Sequence, residues 1–225
     1  MRSRTIVLFS GLAAALFCGA SEAQSTNGTA AKTMTLQMPA TPDPARVTLD
    51  PKTTALIVLD YVEDICAIQP SCKNQMLPAM VPFMERIRKA GLVIAYGTRE
   101  QNMTHWLKEV APQAGDYKVI NTAQDRFFRT DLDKIPKEKG IKTLILVGWK
   151  ISGSILYTSV GATLRGYTVV VPVDASLAPN DHEAAIGPYM ILNQSAANPQ
   201  NEALKPKAAA ASSRRAARRP RKSFA

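Results

Sequence analysis

Thr54-Ala-Leu-Ile-Val-Leu-Asp60 is a continuous apolar run that stops at a carboxylate. A run this short, with no polar alternation, reads as a strand covered on both faces, the condition of a parallel sheet packed between helices. The same pattern returns at Leu92–Thr98 (LVIAYGT), Thr143–Trp149 (TLILVGW) and Thr168–Asp174 (TVVVPVD), with a weaker strand near Tyr117–Ile120. Between them the period changes. Leu77, Met80, Val81, Met84 and Ile87 recur at helical spacing up to Gly91, placed as a C-cap glycine. Pro78 suits the first turn of that helix, whereas Pro82 predicts a kink. Further helices are expected at Leu132–Lys139, at Ser154–Leu164 before Gly166, and at His182–Gln194. Strands alternating with helices require crossover connections, so the predicted class is α/β, a three-layer sandwich with a mostly parallel sheet.

Outward from this core the composition changes at both ends. Arg2 and Arg4 precede an apolar stretch from Thr5 to Ala20, and Ser21-Glu22-Ala23 supplies small residues where a signal peptidase reads. Residues 1–23 are therefore read as a secretory signal cleaved after Ala23. The stretch is shorter than a membrane span and is interrupted by Ser10 and Gly11, and no later segment is long and apolar enough to cross a bilayer. Residues 24–50, rich in Ala, Thr, Pro and Ser, read as a flexible leader, residues 51–200 as the domain, and residues 201–225 as a disordered basic tail. The net charge of +10 is concentrated in that tail, which holds eight Lys and Arg against Glu202 alone. Residues 24–200 carry 18 basic against 16 acidic residues, so the domain's charge selects no class of partner. The tail is either an arm for an anionic polymer or a solvated end. No nucleic-acid motif accompanies it, which favours the solvated end and no specific nucleic-acid partner.

Removal of the signal leaves two cysteines, Cys66 and Cys72, six apart in an exported chain. That spacing fits a disulfide closing a small loop, contributing roughly 2 kcal/mol by the chain-entropy relation. A zinc site would need two further ligands, and His105 and His182 have no spacing that supplies them, so neither metal nor cofactor is expected. The predicted location is periplasmic or extracellular.

Open parallel sheets place their sites beyond the carboxyl ends of the strands. Asp60 lies there and suits either a general base or a carboxylate that caps the next turn. The turn Gly148-Trp149-Lys150-Ile151-Ser152-Gly153-Ser154 leads from a buried strand into a helix. A nucleophile there gains exposure and backbone N–H donors, although Ser152 as an N-cap and Ser154 as a first-turn residue explain the same letters. The glycine–X–serine–X–glycine elbow of serine hydrolases is absent. A third stretch, Asn121–Thr130 (NTAQDRFFRT), crowds Arg126, Phe127, Phe128 and Arg129 ahead of a helix, as a functional loop or as one pinned by two aromatics.

In this order, TALIVLDY, RFFRTDL, GIKTLILVGWKISGSILYTSVGATLRGY and TVVVPVDA resemble the isochorismatase-like family of cysteine hydrolases, over about Thr54 to Ala178. The resemblance implies a Rossmann-like parallel sheet flanked by helices and cleavage of small amides, carbamoyl compounds or a vinyl ether. It implies chemistry by an aspartate, a lysine and a cysteine, whose positions here are Asp60, about Asn121, and Ser154. Only the aspartate is kept. It further implies a cis peptide near Trp149-Lys150, an oxyanion site formed by backbone N–H groups there and at Ser154, and a substrate pocket lined by Tyr61, Trp149 and Lys150. Loss of the cysteine matters because a thiol ionises far more readily than a hydroxyl, which needs a strong adjacent base. Lys118 and Lys150 are the candidate replacements for the missing lysine.

Two functions follow. One is a hydrolase acting on a small molecule with Asp60 and Ser154 or an activated water. The other is a non-catalytic descendant that binds a small molecule or another protein, including a possible second copy of the chain. A dinucleotide-binding oxidoreductase is disfavoured, since no Gly-X-Gly-X-X-Gly follows the first strand.

Overall fold

A computed structural model describes residues 43–103 and 105–193, with the isolated positions 35 and 37. The signal segment, most of the leader and the basic tail lie outside the described residues. The first strand, β1 (Thr54–Leu59), is central, as its composition demands. It is followed by a short helix α1 (Glu63–Ile68), then α2 (Leu77–Lys89), β2 (Val93–Thr98) and β3 (Tyr117–Ile120). The second half contains α3 (Lys134–Glu138), β4 (Thr143–Trp149), α4 (Leu156–Leu164), β5 (Thr168–Val170), β6 (Ser176–Leu177) and α5 (Asp181–Asn193). The sheet order is β3-β2-β1-β4-β5, with β6 pairing the end of β4, and every ladder between these strands is parallel.

Both faces of β1 are buried, and alternate residues feed two separate cores. Leu56 and Val58 pack with Met80, Met84, Ile87 and Tyr96 on the α2 side. Ala55, Ile57 and Leu59 pack with Leu144, Leu146, Ile155 and Ile191 on the α4 and α5 side. Each fully covered Leu or Ile contributes about 1.5–3 kcal/mol of apolar burial, so the strand's composition accounts for its central place.

Local chemistry adjusts several expected boundaries. The run at 168–174 is two strands, because Pro172 has no N–H to continue a ladder and the chain turns before β6. The helix expected at Leu132–Lys139 shortens to α3, since Thr130 Oγ1 accepts the Leu132 N–H and holds residues 130–133 as a turn. Pro82 lies inside α2 and does not end it. One turn of π-helix, Cys72–Met76, leads into α2, and another, Ile151–Ile155, leads into α4. A disulfide joins Cys66 to Cys72 across a Cα separation of 5.2 Å, with both residues buried in the α2-side core. No helix among the described residues is long and apolar enough to cross a membrane.

Candidate active site

β2 and β3 extend the sheet on one side of β1, and β4 and β5 extend it on the other. The carboxyl ends of β1 and β4 therefore flank the switch point, where a crevice forms in open α/β sheets. The two strands approach closely there because residue 148 is glycine. Its φ is +130°, and a Cβ would collide with the carbonyl oxygen of Leu59.

Asp60 follows β1 with a φ of 54°, in the left-handed region. Its N–H donates to the Gly97 carbonyl at 3.0 Å and its own carbonyl accepts the Val62 N–H at 2.9 Å, so the residue is fixed by backbone on both sides. A left-handed aspartate held this way is the kind of local strain that gathers at functional sites. Oδ1 accepts the Thr98 hydroxyl at 2.9 Å. Oδ2 accepts the Ser154 hydroxyl at 3.0 Å and a guanidinium N–H of Arg126 at 2.5 Å.

The guanidinium is the group that sequence reasoning left unassigned. Its aliphatic stem passes over Gly97, where a Cβ would come within 3.3 Å of it. Nη2 donates to Asp60 and, at 3.3 Å, to Ser154 Oγ. Nη1 donates to the Asn121 carbonyl and Oδ1 and to the Ala123 carbonyl. Nε is buried without a hydrogen-bond partner. The surrounding loop is tied from outside: Thr158 of α4 accepts the Arg126 N–H and donates to the Gln124 carbonyl, and Thr130 donates to the Arg126 carbonyl. The three central residues are almost sealed from solvent, with Asp60 6%, Arg126 2% and Ser154 8% exposed.

The structure thus brings Asp60, Ser154 and Asn121 together, with Asn121 reaching the other two through Arg126. The candidate lysines do not join them. Lys150 pairs with Glu183 of α5 at 2.6 Å, and Lys118 faces a surface hollow shared with Ile120, Thr130 and Lys134. Glu183 also accepts the Ser152 hydroxyl, and these two hydrogen bonds hold its carboxyl below the ordinary range. That contact fixes Ser152 on α5.

The expected pocket lining is only partly accessible. Tyr61 is fully buried and donates its hydroxyl to the Ala175 carbonyl at 2.7 Å, so it presents no surface to a ligand in this arrangement. Burial, reinforced by Asp174, pushes its phenol well above the ordinary value. Trp149 and Lys150 are half-buried, and the peptide between them is cis. Neither of two surface hollows among the described residues, around Arg88 and around Lys118, includes Asp60, Arg126 or Ser154 in its lining. No group of three or more His, Cys, Asp and Glu among the described residues is arranged to hold a metal ion.

Arg126 could have been marked from the sequence by its place in the stretch NTAQDRFFRT, but nothing in that stretch says which way its side chain turns. A guanidinium reaching a carboxylate 66 residues away is a property of the packed loop.

Comparison with known proteins agrees with this fold. A family model described as an isochorismatase domain matches residues 54–197. An uncharacterized isochorismatase family protein of Bacillus subtilis is 24% identical over 164 residues, covering 61% of this chain and 86% of its own. A probable inactive nicotinamidase of Arabidopsis thaliana is 22% identical over 170 residues, covering 60% and 87%. Among solved structures, N-carbamoylsarcosine amidase from Thermoplasma acidophilum superposes with a TM-score of 0.54 at 24% identity, covering 59% of this chain and 88% of that one. The structural likeness shows a shared fold.

Proposed function

The chain belongs to the isochorismatase family, and from that membership we propose that it is a small-molecule-binding member in which hydrolytic turnover has been lost. One observation carries this reading: Ser154, which the family resemblance assigns to the nucleophile's position, donates its hydroxyl to a carboxylate already bound to a guanidinium. To attack a carbonyl, Ser154 would have to lose its proton as the bond forms. Oδ2 of Asp60, the oxygen that would accept that proton, is already engaged by a guanidinium N–H of Arg126 at 2.5 Å. A guanidinium is acceptor-free and does not take a proton in its place. A cysteine at 154 would part with its proton far more readily, because a thiol is much more acidic than a hydroxyl.

The ligand in this reading rests against the half-buried Trp149 and Lys150, above the sealed Asp60–Arg126–Ser154 group. Because Asp60 and Arg126 neutralise each other and Lys150 is neutralised by Glu183, the expected ligand is neutral and polar, such as a small amide. The test is a thermal-shift titration with nicotinamide and related neutral amides, followed by product analysis of the same samples. Saturable stabilisation, lost in Trp149→Ala and without product, supports the reading. No stabilisation by any member of the panel counts against it.

A second reading is a slow hydrolase using Ser154. It is favoured by the 3.0 Å hydrogen bond from Ser154 to Asp60, since a hydroxyl donated to a carboxylate is the first requirement for general-base activation. The proposed setting for either reading is outside the cytosol, supported by the Cys66–Cys72 disulfide, a bond that persists in oxidising compartments. A mature chain beginning at Gln24, read by intact mass after export, tests it; retention of residues 1–23 overturns it.

A further inference from the structure

The Asp60 carboxylate needs a cation, and none is present where the family resemblance places one. Asn121 holds that position, and its side-chain NH2 donates to the carbonyls of Asp125 and Phe128, shaping the loop. Its remaining oxygen accepts from Arg126. We propose that Arg126 is the site's cation, moved five residues along the loop, and that Asn121 has become the residue that aims it at position 154. The site would then retain an anion–cation couple around a residue that is no longer a thiol, whether or not wild type turns over any substrate.

Three features support an electrostatic role beyond simple tethering of the loop. The guanidinium contacts residue 154 itself, at 3.3 Å from Oγ, as well as Asp60. Three acceptors on one nitrogen fix its direction, so the second nitrogen has one place to go. The remaining charged groups packed about the turn are engaged elsewhere: Lys150 pairs with Glu183, and Asp125, lying against Gly161 of α4, accepts the Phe127 N–H. Position 154 therefore has two charged neighbours in contact, one of each sign.

An introduced thiol reports on this field directly. Ser154→Cys, with no lysine added at 121, places a titratable atom between Asp60 and Arg126. Its ionisation is read from ultraviolet thiolate absorbance, as a difference between variant and wild type against pH, so no reagent has to enter the site. Arg126→Gln in the Ser154→Cys background should raise the midpoint by at least about one unit, a tenfold loss of thiolate below the midpoint. Asp60→Asn should lower it. If Arg126→Gln impairs folding, the comparison is made between Asp60→Asn/Ser154→Cys and the same chain carrying Arg126→Gln, where no carboxylate is stranded. Removing Arg126 should again raise the midpoint. A midpoint that stays within about 0.3 unit in the folded pair overturns the proposal and leaves Arg126 as a structural tether, because a tether alone does not move the titration of residue 154.

Discussion

Replacing Asp60 by Asn strands a guanidinium that is 2% exposed and otherwise held 2.5 Å from its counter-charge. Breaking a buried pair from one side costs about 3–5 kcal/mol, since the remaining charge keeps its desolvation penalty and loses its partner. Asp60→Asn retains an oxygen near Thr98 and Ser154, which places it at the low end, about 3 kcal/mol. Arg126→Gln forfeits hydrogen bonds to Asn121, Ala123, Asp60 and Ser154 and strands the carboxylate, which places it near 5 kcal/mol on the same scale, about the upper bound. The double variant strands no charge and should cost less than the sum by about 2 kcal/mol or more. Urea unfolding of the three variants at neutral pH measures the cycle, with unchanged slopes confirming a comparison of like states. In thermal scans Asp60→Asn alone should lower Tm by about 6–12 °C, taking about 2–4 °C per kcal/mol for a domain of this size. A shift below about 2 °C for Asp60→Asn, or strict additivity in the double variant, would refute the buried ion pair as the centre of the site.

Cys66→Ala/Cys72→Ala should cost about 2 kcal/mol in urea unfolding, the entropy of a short closed loop, and free-thiol titration of the unfolded, unreduced mature wild type should find essentially no reactive thiol. Gly148→Ala should destabilise by on the order of 4 kcal/mol or prevent folding, because both its φ of +130° and the Leu59 carbonyl exclude a Cβ; near-native stability in unfolding would contradict the close approach of β1 and β4. The Glu183 carboxyl, held below its ordinary value by Lys150 and Ser152, contributes stability that is present above its unfolded-state value and lost as pH falls through the folded one. Glu183→Gln should therefore lower stability at neutral pH and flatten the acid limb, and an unchanged limb in a pH series of Tm would refute the contact.

The centre of the sheet was legible because its strands are buried on both faces and contain little else. TALIVLD at 54–60 and TLILVGW at 143–149 form β1 and β4 over nearly those bounds, and Asp60 lies where the first run ends. Ser154 and Asn121, singled out through the family resemblance, each hydrogen-bond to Arg126. What stayed hidden were side-chain directions and short-range chemistry. Pro172 splits the last strand because it lacks a donor, a rule readable in sequence but outweighed there by the surrounding valines. Tyr61, next to Asp60, is fully buried with its hydroxyl on the Ala175 carbonyl, a partner 114 residues away that the sequence does not display. Arg126 shows the limit best. Its identity was in plain view, yet its partners Asp60, Asn121 and Ser154 come from three separate elements, and only the packed loop brings them within reach.

The central claim is that this site no longer performs hydrolysis through residue 154. Its most direct test is product formation by wild type and Ser154→Ala, each at a concentration comparable to that of the substrate, on nicotinamide-like amides and isochorismate-like ethers. High protein concentration exposes even very slow chemistry, and the alanine variant defines the background. The account predicts that the two proteins release product at indistinguishable rates, near that of buffer. Brisk turnover by wild type that Ser154→Ala abolishes would contradict it and establish Ser154 as a working nucleophile beside Asp60.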